Sequence, residues 1–307
     1  MRTNKEQTRK YISKLLVATD FSRGAEYAVG RAIRLPLKTG ARLHLLHVLP
    51  DGMPPGIRSR LEEKAWLKLK QMASSATKVA KTAGNPQLLV TPNVVCGQAY
   101  IEIIRNARTS GADLVIIGRH GRRGIRDLLI GSTAMRVIRK GDFPVLVVNR
   151  KPVKAYLRPL VAIGLEDTSR AVLDLACRVL DPALASVPVV HAYWPPFERA
   201  VLATLTPKEL PEYHRGIRTK ADTNLKQILA SCSEPGIHWK TVVRRGDPRS
   251  VVLEEAIHRR ADLITVGTHA RSGISHALLG SVAERVISAA PCDVLVARPA
   301  AFSFALP

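Results

Sequence analysis

The chain has 307 residues, 46% of them hydrophobic, which suffices for two domains with a core each. Its 47 Lys and Arg exceed its 25 Asp and Glu to give a net charge of +22, and the excess is uneven: residues 1–150 hold 27 basic against 10 acidic side chains, residues 151–307 hold 20 against 15. That balance favours anionic partners such as nucleotides, nucleic acid or lipid headgroups, while four scattered cysteines without a CxxC pair (Cys96, Cys177, Cys232, Cys292) exclude a disulfide or zinc framework.

The polar start Met1–Lys10 lacks the apolar core of a signal peptide, and no run approaches the roughly 18 apolar residues of a membrane span, so a cytoplasmic protein is expected. The apolar run Leu15–Thr19 ends at Asp20 and reads as a first strand. Ser22 then caps a helical pattern through Ala25, Ala28, Val29, Ala32 and Ile33. Leu43–Val48 is the second strand. Beyond Pro50-Asp51-Gly52 and Pro54-Pro55-Gly56, a long helix places Leu61, Ala65, Leu69, Met72, Ala76 and Val79 at spacings of three and four, and Gly84-Asn85-Pro86 stops it. Strand Leu88–Val95, a helix from about Ala99 to Arg108, strand Asp113–Ile117, a glycine loop, a helix from Ser132 to Lys140 and strand Val145–Val148 complete the first half.

The second half repeats the order. Strands are predicted at Leu160–Ile163, Val187–Ala192, His238–Val243, Leu263–Val266 and Val294–Ala297, with helices at Ser169–Leu180, within Lys208–Ser231, at Pro248–His258 and at Ser281–Ala289. Strands that alternate with helices and are themselves continuous apolar runs, such as Leu114-Val115-Ile116-Ile117, indicate a parallel sheet covered on both faces. The fold class is therefore α/β, two tandem Rossmann-like domains of five parallel strands each, with boundaries at 1–152 and 153–307. The short, proline-bearing join Lys151-Pro152-Val153-Lys154 suggests halves that touch.

Duplication is explicit at the glycine loop. Gly118-Arg119-His120-Gly121, then nine residues, then Gly131-Ser132 returns 149 residues later as Gly267-Thr268-His269-Ala270 and Gly280-Ser281. Such a loop follows a strand at its carboxyl end, where doubly wound sheets bind ligands. Gly118 allows a sharp exit and close backbone approach, Gly121 is free to adopt positive φ, and the amides opening the helix at Gly131-Ser132 suit phosphate. Neither a GxxxxGK[ST] loop nor a GxGxxG turn is present. Arg122, Arg123 and Arg126 add charge to the loop. His44 and His47, three apart on a strand, point to opposite faces and share no metal. Ser22, Ser132 and Ser281 read as helix caps rather than nucleophiles, and His120 and His269 as loop histidines without a carboxylate partner.

This spacing, with the Asp113-Leu114 strand before it, Pro144-Val145-Leu146-Val147 after it and Val17-Ala18-Thr19-Asp20 as an opening strand, resembles the universal stress protein family over nearly the whole chain. The resemblance implies a fold of the adenine nucleotide alpha hydrolase type and, in the ATP-binding branch, a nucleotide site. Gly118, Gly121, Gly131, Ser132 and Thr133 would contact ribose and phosphates, with Arg119 and His120 between them; Asp20 would face ribose and base, and the Val48 backbone the adenine. The ligand is then ATP, with room for a magnesium ion beside it. A weaker second site would use Gly267, His269, Gly280 and Ser281, because Ala270 replaces the second glycine and Gly164 stands at the position of Asp20, with Glu166 or Asp167 as substitutes for the acid. The resemblance also implies pairing of strands Val145–Val148 and Val294–Ala297 within one chain, and it allows a homodimer and slow ATP hydrolysis. An adenylating enzyme is disfavoured because Asp20-Phe21-Ser22-Arg23 replaces an SGGxxS loop. A polyanion-binding protein using the basic first half is the other alternative; its nucleic-acid form lacks aromatics interleaved with the basic loop.

Overall fold

The protein is described by a computed structural model over residues 11–121, 130–165, 168–194, 204–232, 237–268 and 279–298. Strands β1 (Ile12–Ala18), β2 (Leu37–Leu49), β3 (Leu89–Cys96), β4 (Leu114–Gly118) and β5 (Val145–Val148) alternate with helices α1 (Arg23–Ala32), α2 (Pro55–Thr82), α3 (Ala99–Ser110) and α4 (Ser132–Lys140). The second repeat has strands β6 (Pro159–Ala162), β7 (Val187–Tyr193), β8 (Trp239–Arg245), β9 (Leu263–Gly267) and β10 (Asp293–Ala297). Its helices are α5 (Thr168–Val179), α6 (Leu210–Ser231), α7 (Pro248–His258) and α8 (Ser281–Ala289). None of the described helices is long and apolar enough to cross a membrane.

Each predicted element is present, and the largest shift is the start of β2 at Leu37 instead of Leu43. Lys38, Thr39 and Gly40 are exposed, Gly40 lies at φ +74°, and the pairing slips there, from Ile12 opposite Leu37 to Lys14 opposite Arg42. A polar stretch around a left-handed glycine interrupts the hydropathy signal of the strand.

The strands form one sheet in the order β3-β2-β1-β4-β5-β10-β9-β6-β7-β8. Pairing is parallel within each repeat and antiparallel where β5 meets β10, with Val147 opposite Val294, Leu146 opposite Leu295 and Val145 opposite Val296. Two apolar cores cover the faces, and both run through the two repeats. On one face α1, α2, α5 and α6 pack with residues such as Val29, Leu69, Leu173 and Leu225; on the other α3, α4, α7 and α8 pack with Ile104, Val137, Val252 and Val286. Strand order reverses at β1, whose neighbours are β2 and β4, so a crevice opens at the carboxyl ends of β1 and β4.

Polar side chains lock the seam. Asp293, at the start of β10, accepts from Arg31 Nε at 3.2 Å, Tyr156 OH at 2.8 Å, and the Asn149 and Arg150 amides at 2.8 and 3.2 Å. The Arg31 and Asp293 side chains are 7% and 1% exposed. Arg31 also donates to the Lys154 carbonyl at 2.9 Å and stacks on the Tyr156 ring at 3.9 Å, so the join between the repeats lies against α1. Burial pushes the Asp293 carboxyl above its ordinary value, against the pull of Arg31. Farther out, Asp113 ties β4 to β1 by accepting from the Ser13 and Lys14 amides at 2.9 Å each, and it meets Arg178 of α5 at 3.1 Å.

Two expectations follow. Asp293→Ala leaves Arg31 buried without its anion and should cost about 3–5 kcal/mol by urea denaturation, most of it restored when Arg31→Met is added to an apolar Asp293→Leu; a loss below about 1 kcal/mol would contradict this view of the seam. Burial alone would raise the Asp113 pKa, but the bonds from Ser13 and Lys14 and the nearby Arg178 hold it below the ordinary carboxylate value. Its contribution to stability is therefore complete above about pH 4 and disappears as pH falls through the folded-state pKa, and Asp113→Asn should flatten the acid limb of a stability–pH curve.

Candidate functional site

The crevice is built from glycines pressed against backbone. A methyl group on Gly118 would lie 2.5 Å from the Gly24 carbonyl carbon and oxygen, and one on Gly24 would overlap the His120 carbonyl oxygen. The glycine loop thus seats directly on the first turn of α1. Ser22 caps that helix by accepting from the Ala25 amide at 3.3 Å, and its hydroxyl reaches the His120 carbonyl at 3.5 Å. Asp20 Oδ1 accepts from the Ser22 amide at 3.0 Å, while Oδ2 lies 2.6 Å from where a Gly121 methyl group would stand.

Gly121 is therefore a glycine for a reason other than the positive φ expected of it: it is absent from the left-handed residues, and the Asp20 carboxylate fills the space of a side chain. In the sequence, acid and glycine change together. Asp20 and Gly121 of the first repeat correspond to Gly164 and Ala270 of the second, a covariation the individual motifs do not display.

The helix openings differ from expectation in a way that bears on ligands. Gly131 and Gly280, not Ser132 and Ser281, occupy the N-cap positions of α4 and α8, and no side chain caps either helix. Ser132 and Ser281 are exposed first-turn residues, and Thr133 follows half-buried. By contrast Ser22 and Asp247 cap α1 and α7 with side-chain oxygens. First-turn amides without a side-chain acceptor present a positive end to whatever approaches.

Val48 lies near the end of β2, opposite Val95 of β3 and half-buried against the second core. The preceding residue, buried His47, joins the ends of the strands: its Nδ1 lies 2.8 Å from the Thr19 carbonyl, which accepts, so Nδ1 carries the proton. His191 repeats the contact with the Ile163 carbonyl at 3.1 Å, and burial lowers its pKa. Strand alternation excludes His47 from a metal site with His44 but does not reveal this contact. Its recurrence 144 residues on, at the same place after the opening strand, was the available signal.

Arg119 lies at the loop, but its side chain does not turn into the crevice. Only 6% exposed, it runs across the seam and donates to the Ala290 carbonyl at 2.8 Å and to the Ser288 carbonyl, at the carboxyl end of α8. Burial lowers the pKa of its guanidinium. Of the remaining expected residues, Gly267 and Gly280 are half-buried at the matching edge of the second repeat, where the Gly280 amide donates to the Thr268 carbonyl at 2.6 Å. Arg122, Arg123, Arg126, Glu166, Asp167, His269 and Ala270 lie outside the described residues.

The sequence profile of the universal stress protein family matches residues 12–149 and again 155–298. The chain belongs to this family. Universal stress protein E of Escherichia coli K12 is similar at 26% identity over 306 residues, covering 93% of each chain. A universal stress protein of Mycolicibacterium smegmatis is similar at 27% over 310 residues, 93% of this chain and 97% of that one. The crystal structure of a universal stress protein from Archaeoglobus fulgidus shares the fold, with a TM-score of 0.63 at 19% identity over 93% of this chain and 98% of that chain. Both repeats are thus universal stress protein units.

The packing of the loop separates two glycines. Gly118→Ala forces backbone against the first turn of α1 and should cost about 1–3 kcal/mol. At Gly131, where a methyl group has its nearest neighbour at 3.5 Å, Gly131→Ala should cost under about 1 kcal/mol. Thermal melts of the two variants check the order, and an equal loss would remove the close approach at Gly118 as its cause.

Proposed function

We propose that this universal stress protein binds ATP in the crevice of its first repeat and acts through the bound state, as a stress-response regulator rather than as an efficient enzyme. The observation that carries this reading is the pairing of the glycine-capped, side-chain-free N-terminus of α4 with an Asp20 carboxylate held against Gly121. The first supplies donors for phosphate oxygens and the second an acceptor for ribose hydroxyls. Gly131 leaves its backbone open to the ligand while Gly118 seats the loop on α1, Ser132 and Thr133 would add hydroxyls, His120 belongs to the same loop, and the Val48 backbone would meet the adenine edge. A magnesium ion would accompany the phosphates. The Arg119 side chain is left out of this contact set because α8 holds it.

In the second repeat, Gly164 removes the acid, so Gly267, His269, Gly280 and Ser281 would form at most a weaker site. Losing a charged hydrogen-bond partner costs about 1.5–3 kcal/mol, a tenfold weakening or more. Calorimetry with ATP and magnesium should find about one tight site per chain, and Asp20→Ala should weaken it about tenfold or more. Undiminished affinity would remove Asp20 from the site; two equal sites would overturn the ranking of the repeats; no binding would overturn the reading itself.

A second reading, polyanion binding by the basic first half, has one specific support: the Tyr100 ring is flanked by Arg136 at 5.3 Å and Lys140 at 4.9 Å on adjacent helices. Duplex DNA binding with a steep salt slope, flattened by Arg136→Gln with Lys140→Gln, is its expected signature.

A further inference from the structure

The sequence places Arg119 inside the glycine loop, and the structure gives it a partner in the other repeat. Its backbone is bound on both sides within the first repeat. The Arg119 amide donates to the Val148 carbonyl at the end of β5 at 2.9 Å, and its carbonyl accepts from the Gly131 amide, at the N-cap of α4, at 2.9 Å. Its guanidinium closes the last turn of α8 through the Ser288 and Ala290 carbonyls. A cation at a helix carboxyl end meets the negative pole and carbonyls that the helix itself leaves unsatisfied. In the second repeat Thr268 makes the same two backbone bonds, from its amide to the Ala297 carbonyl at 3.2 Å and from the Gly280 amide to its carbonyl at 2.6 Å. Its side chain is too short to reach across the seam as Arg119 does.

We propose that Arg119 is a positioning residue that couples occupancy of the first repeat's loop to α8 of the second repeat, making the seam the route by which a nucleotide bound in one repeat is sensed in the other. The proposal rests on the nucleotide reading of the first repeat and adds to it. Helix α8 runs from Gly280, the N-cap that opens the second crevice, to the carbonyls gripped by Arg119. A ligand held by the first-turn amides of α4 bears on Gly131, whose own amide is bonded to the Arg119 carbonyl, and through that bond on the residue whose guanidinium grips α8. By linkage the effect is reciprocal: if the grip on α8 favours the binding-competent loop, ligand binding strengthens the grip by the same factor. Asn149 Nδ2 also donates to the Ala290 carbonyl, at 3.3 Å, and a contact elsewhere on α8, Arg139 to Glu284 at 2.6 Å, is about half exposed on both sides and serves as a control.

Hydrogen exchange read by mass spectrometry over residues 281–290, with and without ATP and magnesium, tests this in the full chain alongside calorimetry. In the wild type, ATP should slow exchange in this segment by about fivefold or more, the lower end of ordinary coupling. Arg119→Thr, which copies the second repeat, should abolish that ATP-dependent slowing and weaken ATP by a similar factor; Arg119→Lys should restore part of both, and Arg139→Gln should change neither. A residue that merely stabilises the fold would raise exchange in the variant equally with and without ATP, and that outcome overturns the proposal. ATP binding with no protection of 281–290 in the wild type overturns the coupling alone. Absence of ATP binding overturns the coupling together with the function on which it rests.

Discussion

Asp293 opens a strand at the centre of the ten-stranded sheet, and its carboxylate gathers Arg31, Tyr156 and the amides of Asn149 and Arg150 into one buried set. A charge in such a place is tolerated only where it is paired and its remaining lone pairs are used; Arg31 and the amides of Asn149 and Arg150 come from the first repeat, and Tyr156 from just past the join. The antiparallel pairing of β5 with β10 supplies the backbone part of the same seam, and its apolar side chains feed the cores on both faces. The buried set gives the seam one geometry, because sliding β10 along β5 would strand the carboxylate away from its donors.

That fixed seam determines what the crevice can be. With β5 held, its last residue Val148 anchors the Arg119 amide, and Arg119 in turn receives the amide of the α4 N-cap. The position of the α4 N-terminus relative to β4 thus depends on a chain of backbone bonds that starts at the contact between repeats. On the other side the loop rests on α1, the helix that also carries Arg31 to Asp293. The candidate phosphate end of the crevice is therefore supported from two directions by elements committed to the seam.

Near-symmetry makes the differences between the repeats informative. His47 and His191 make the same contact after the opening strand, and Gly131 and Gly280 leave the same helix ends without side-chain caps. The shared backbone plan diverges at the candidate crevice and at the partner repeat: Asp20 against Gly164, Gly121 against Ala270, Arg119 against Thr268. The first two belong together, since a carboxylate that fills the space beside a loop requires a glycine opposite.

Element order, the repeat and the glycine loop were legible in the chain itself, because hydrophobic periodicity and turn residues act over a few neighbours. The same signals mislead at Leu37–Arg42, where a polar, irregular stretch with a slipped register belongs to a strand, and at Ser132 and Ser281, where serine beside glycine looks like a cap but the glycine takes that place. The tertiary structure alone decided the direction of the Arg119 side chain, the reason for Gly121 and the gathering of Arg31, Tyr156 and Asp293. Each depends on contacts between residues about 100 or more positions apart, which no local pattern encodes. A motif residue can be placed on its loop by sequence. What its side chain touches depends on which surface the rest of the chain brings against it.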